Sequence, residues 1–142
     1  MKYLLFVCMY LASPIGFSQD CPDCTLIGFG CGEAGLPSTS VKQISELIDM
    51  GNSAALRVLI NSPDPSLKYL SIKVCEHKVK KNKLALTTLE KTIIDAAKQS
   101  DEKIEYCSGC TFQEIYSLKE LFRDDSIGLN KSLIDWLKRI DK

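Results

Sequence analysis

The sequence predicts an all-α fold: five or six short helices packed as antiparallel hairpins, in a small bundle or a short α-solenoid-like stack, led by a glycine- and cysteine-rich irregular arm. Three observations predict it. From Ser38 onward, apolar residues recur every three or four positions, the spacing that places them on one helix face. Hydroxyl residues followed three positions later by Glu or Gln recur ahead of these stretches, as helix starts require. Alternating apolar and polar residues, the mark of a half-buried strand, are almost absent; Lys103 to Cys107 is the only candidate.

The chain opens on Met1-Lys2, then an apolar run from Tyr3 to Ala12, then Pro14 and the small residues Gly16 and Ser18. This layout predicts a signal peptide over 1–18. The run is too short to cross a bilayer, which takes about 20 apolar residues. Cys8 lies inside it, and Cys21 lacks the small apolar neighbours a lipoprotein would place before it. The expected product starts at Gln19, has no stable membrane anchor, and is secreted or periplasmic. Lysine plus arginine and aspartate plus glutamate each number 18. A neutral chain has no field to draw it to nucleic acid, so the expected partner is another protein.

Residues 19–37 form the arm. Ile27-Gly-Phe-Gly-Cys-Gly is a loop composition, and no Gly-Lys-Ser/Thr follows to make it a phosphate-binding loop. The arm is expected to be irregular and held by sulfur chemistry rather than by a core. The helical domain spans 38–142. Ser40-Val-Lys-Gln43 reads as a capping box, with Val41, Ile44, Leu47 and Ile48 on one face and Gly51 as the stop. A second helix covers Ser53 to Ile60. Asp64 then caps a third helix that has Pro65 in its first turn, where no N–H is needed. That helix, running to about Lys78, bears two apolar stripes, Leu67-Leu70-Val74 and Ile72-Cys75-Val79, so it is expected between neighbours. Thr87-Thr-Leu-Glu90 opens a fourth, with Leu89, Ile93, Ala96 and Ala97 inward. Thr111-Phe-Gln-Glu114 opens a fifth, lined by Phe112, Ile115, Leu118 and Phe122. After Gly128, the last helix buries Leu129, Leu133, Trp136, Leu137 and Ile140.

The stretch Ala54–Val79 resembles one unit of a HEAT-type helical repeat. The matching pieces are Leu56-Arg-Val-Leu-Ile60, the turn Ser62-Pro-Asp-Pro65, and Leu67-Lys-Tyr-Leu-Ser71 opening the second helix. In that family an aspartate-proline turn joins two antiparallel helices, and a basic residue follows the first apolar position of the second. The resemblance implies a scaffold that binds other proteins rather than an active site.

Cys21, Cys24, Cys31, Cys75, Cys107 and Cys110 carry what chemistry the mature chain has. Four of them form two C-x-x-C pairs, Cys21-Pro-Asp-Cys24 and Cys107-Ser-Gly-Cys110, and three readings stand. Outside the cytosol, the six are disulfide candidates whose connectivity the sequence leaves open. Alternatively Cys21, Cys24, Cys107 and Cys110 ligate zinc as a tetrahedral thiolate set, against a separation between pairs far beyond the usual one. Or one pair is a redox dithiol, Cys110 standing just before the helix expected at Thr111, whose N-terminus would favour a thiolate. No catalytic residue is expected, and no cofactor unless it is zinc. His77, two positions from Cys75, points away from it on a helix. Asp101-Glu102, Asp124-Asp125 and the run Lys78, Lys80, Lys81, Lys83 read as solvated surface.

Overall fold

A computed structural model describes residues 25–32 and 34–140. In chain order these form β1 (Thr25–Ile27), α1 (Thr39–Asp49), α2 (Ser53–Leu59), α3 (Pro65–Lys80), α4 (Thr88–Ala97), β2 (Lys103–Ser108), β3 (Phe112–Ser117), α5 (Leu118–Arg123) and α6 (Gly128–Ile140). The fold is therefore not all-α. A three-stranded mixed sheet, ordered β1-β2-β3, stands beside the helices. β1 pairs in parallel with β2, and β2 pairs antiparallel with β3.

Two sequence expectations fail together at this sheet. The segment after Thr111 is a strand, because each residue from Phe112 to Ser117 finds a register partner between Ser108 and Lys103. Gly109, at φ +65°, supplies the left-handed turn conformation that lets the two strands meet. The capping box that operates lies three residues past its expected end. Ser117 accepts from the Glu120 backbone N–H, and Glu120 accepts from the Ser117 N–H at 2.7 Å, opening α5. The arm is not wholly irregular either. Ile27 is fully buried, and β1 docks on α3 where the Ser66 hydroxyl and backbone N–H meet Thr25 Oγ1 at 2.6 and 3.1 Å.

The helical expectations fare better where local chemistry decides. Asp64 accepts from the N–H groups of Ser66 and Leu67, and Pro65 occupies the first turn of α3. Thr87 and Glu90 form the expected capping box of α4. Glu90 also takes a two-pronged ion pair from Arg57, at 2.6 and 3.0 Å, which clamps α4 to α2. The Arg57 guanidinium and the Thr87 backbone together hold the Glu90 carboxyl down at about 2. At α1 the serines do something else. Ser38 precedes the helix without capping it; its hydroxyl accepts from Gly28 N–H at 3.2 Å, and Ser40 donates to the Leu26 carbonyl at 2.8 Å. The Ser40–Gln43 box gives way to bonds that fasten the arm to α1.

α3 is the central element. Tyr69, Leu70, Ile72, Val74 and Cys75 are each 0% exposed, as an element with apolar residues on two sides must be. α2 and α3, consecutive in the chain, pack against each other. What covers α3 is partly the sheet, however, and not a further stack of helical pairs. On α4 the buried face is Ile94 and Ala97, while Leu89 is 70% exposed and Ala96 also faces solvent. α6 closes the core with Leu129, Leu133, Trp136 and Leu137, as its spacing predicts. No described helix is long and apolar enough to cross a membrane.

Candidate functional site

The cysteines reach their positions through the arm and the β2–β3 hairpin. Beyond β1 the chain continues beside β2. Gly109 N–H donates to the Gly30 carbonyl at 2.9 Å, and Gly32 N–H donates back to Gly109 at 3.0 Å. Cys31 and Leu36 exchange backbone bonds at 2.8 and 3.2 Å, folding the arm back toward α1. This extension sets Cys31 beside Cys107, with Cα atoms 5.7 Å apart, and the two form a disulfide. Gly28 is required beneath it. A Cβ there would overlap Cys31 Sγ and come within 3.0 Å of the Cys107 carbonyl oxygen.

The other candidates lie elsewhere. Cys75 is buried on α3, and burial pushes its thiol up to about 11. A thiol so held is a poor nucleophile and a poor ligand at neutral pH. Cys110 is exposed in the hairpin turn and unpaired among the described residues. It precedes a strand rather than a helix, so the dipole expected to favour its thiolate is missing. Cys21 and Cys24 lie outside the described residues, as does the whole 1–18 segment. Of the set Cys21, Cys24, Cys107 and Cys110, Cys107 is taken up by Cys31. Among the described residues no three of His, Cys, Asp and Glu cluster as a metal site.

A second feature was not singled out in the sequence. α3 and α6 border a groove of about 270 Å³, lined by Lys73, His77 and Lys80 on one side and Leu133, Ile134 and Leu137 on the other. Lys73 Nζ sits 5.3 Å from the Phe122 ring centroid and 5.7 Å from that of Tyr69. Burial holds its ammonium below the usual lysine value, with Asp125 and Glu76 opposing that shift. At the inner end Tyr69 donates its buried hydroxyl to Asn130 Oδ1, and Asn130 Nδ2 donates to the Leu121 and Asp124 carbonyls, both at 2.8 Å. The available signal was the recurrence of basic residues at 73, 77 and 80, one side of α3.

Comparison with protein-family models, with curated proteins and with solved structures yields no match to this chain.

Proposed function

We propose that the chain is an exported, disulfide-braced module that binds another protein and has no catalytic centre of its own. The observation that carries this reading is the Cys31–Cys107 bond, which ties the arm to the hairpin across 76 residues. Such bonds persist in oxidising compartments, and the 1–18 leader pattern points to the same destination. The buried, raised thiol of Cys75 belongs to packing and not to chemistry. A protein partner fits the outward apolar residues on the α2–α4 side. Val58 and Leu89 follow and precede, in sequence, the two partners of the Arg57–Glu90 clamp, and they are 75% and 70% exposed. These exposed aliphatic side chains supply apolar area for a protein partner to cover.

The test is to express the full precursor, cross-link the intact compartment, and map the purified chain by mass spectrometry without reductant. The expected result is a chain beginning at Gln19, a Cys31–Cys107 linked peptide, and a protein neighbour cross-linked in stoichiometric amount. A chain keeping Met1 with reduced thiols in the cytoplasm overturns export. Stoichiometric zinc whose chelation unfolds the protein overturns the structural role of the cysteines.

A further inference from the structure

The groove between α3 and α6 joins two surfaces of opposite character. Lys73, His77 and Lys80 follow one another at four- and three-residue steps on α3, so they share one side of that helix. Across from them α6 offers the buried Leu133 and Leu137 and the 44% exposed Ile134. Two of the charges nearby are already matched. Glu76 bonds Lys98 at 2.8 Å, and Lys138 reaches Asp135 at 3.4 Å. Lys73 and Lys80 therefore share the groove with two carboxylates, Asp125 and the Lys98-paired Glu76.

Lys73 is the distinctive member. The Tyr69 and Phe122 ring centroids lie 5.7 and 5.3 Å from its ammonium, a contact that steadies the cation without forming an ion pair. A half-buried cation beside an apolar wall is matched by a ligand that carries one negative charge at one end and hydrocarbon at the other. We propose that this groove binds a small amphipathic monoanion, a medium-chain aliphatic carboxylate whose charge meets Lys73 and whose tail lies along Ile134, Leu133 and Leu137. The volume of about 270 Å³ falls just below that of drug-sized ligand sites, which suits a short chain and not a long lipid. A doubly charged phosphate fits less well, since it meets twice the repulsion from Asp125 and Glu76 that a monoanion meets. The inference is independent of export and of a protein partner.

The experiment is an amide NMR titration of the oxidised protein with octanoate, octanol and octylammonium. Octanoate is expected to shift the amides of Lys73, Lys80, Ile134 and Leu137 and to saturate. Octanol and octylammonium bind about tenfold more weakly or worse, because they lack the charge that meets Lys73. Lys73→Gln weakens octanoate by about tenfold and leaves octanol unchanged. Ile134→Asp, at a half-exposed rim position, abolishes octanoate binding without taking a buried group from the core. Octanol binding as tightly as octanoate overturns the proposal. So do shifts mapping away from the groove, or an absence of saturation at millimolar ligand. If Lys73→Gln does not fold, unchanged octanoate binding by Ile134→Asp is sufficient to overturn it.

Discussion

Asn130 shows how a single polar residue can be essential inside an apolar core. It is 1% exposed on α6, and both its donors and its acceptor oxygen are engaged: the carboxamide oxygen accepts from Tyr69, and the nitrogen donates to the carbonyls of Leu121 and Asp124. Those two carbonyls lie at the end of α5, where a helix leaves oxygens without internal partners. Asn130 therefore ties α6 to the end of α5 and to α3 in one group. Asn130→Ala should destabilise by about 3 kcal/mol, because each buried polar group left unmatched costs about 1–3 kcal/mol. Tyr69→Phe, which removes one donor and leaves a single acceptor short, should cost about half as much. Urea denaturation checks both, and equal losses would mean that the amide nitrogen's bonds contribute nothing. None of this was legible in the sequence. An asparagine in an amphipathic helix reads as surface, and only the tertiary meeting of three helices makes it interior. Leu129, Leu133, Trp136 and Leu137 on the same helix were legible, since apolar spacing alone assigns them.

At the scale of elements, the chain separates features set by near neighbours from features set by distant ones. The caps at Asp64 and Thr87 involve residues at most three positions apart, and the sequence pattern located both. The same pattern misled at Thr111. Thr111-x-x-Glu114 and Ser117-x-x-Glu120 are equivalent as local signals, and Phe112, Ile115, Leu118 and Phe122 even suit a helix. The choice falls to β2, which pairs with residues 112–117 and leaves Ser117, the last of them, to cap the helix that starts at Leu118. A substitution pair separates the two boxes. Ser117→Ala should cost about 1 kcal/mol, as loss of an N-cap does. Thr111→Ala, in an exposed turn, should stay within about 0.5 kcal/mol of the parent. Chemical denaturation of the two variants reads the difference. A larger loss at Thr111 than at Ser117 would restore the helix and remove β3.

For the whole molecule, the sheet explains why an all-α expectation failed despite many correct helices. β1 is three residues long, too short for alternation to register, and its partner in β2 lies far along the chain: Thr25 pairs with Ile104, and Ile27 with Tyr106. Nothing in either segment alone requires the other; burial of Ile27, Ile104 and Tyr106 against the helices brings them together. The cysteine pairing has the same non-local origin. Spacing drew attention to Cys107-x-x-Cys110, yet the sheet continues into the arm and delivers Cys31 to Cys107 instead. A bond that closes a loop of 76 residues restricts the unfolded chain strongly, by about 4 kcal/mol in the chain-entropy account. Cys31→Ser and Cys107→Ser should therefore lose similar stability, at most about 4 kcal/mol, and the double variant should be no worse than either single one. Reductant should bring the parent protein down to the level of these variants and leave the variants unmoved. Cys110→Ser, at an exposed turn, should change little. Denaturant midpoints with and without reductant decide the matter: if Cys110→Ser is damaging and Cys31→Ser is not, the bond lies within the C-x-x-C turn, the arm is not tethered by sulfur, and β1 must hold its place on α3 by burial and the Thr25–Ser66 contact alone.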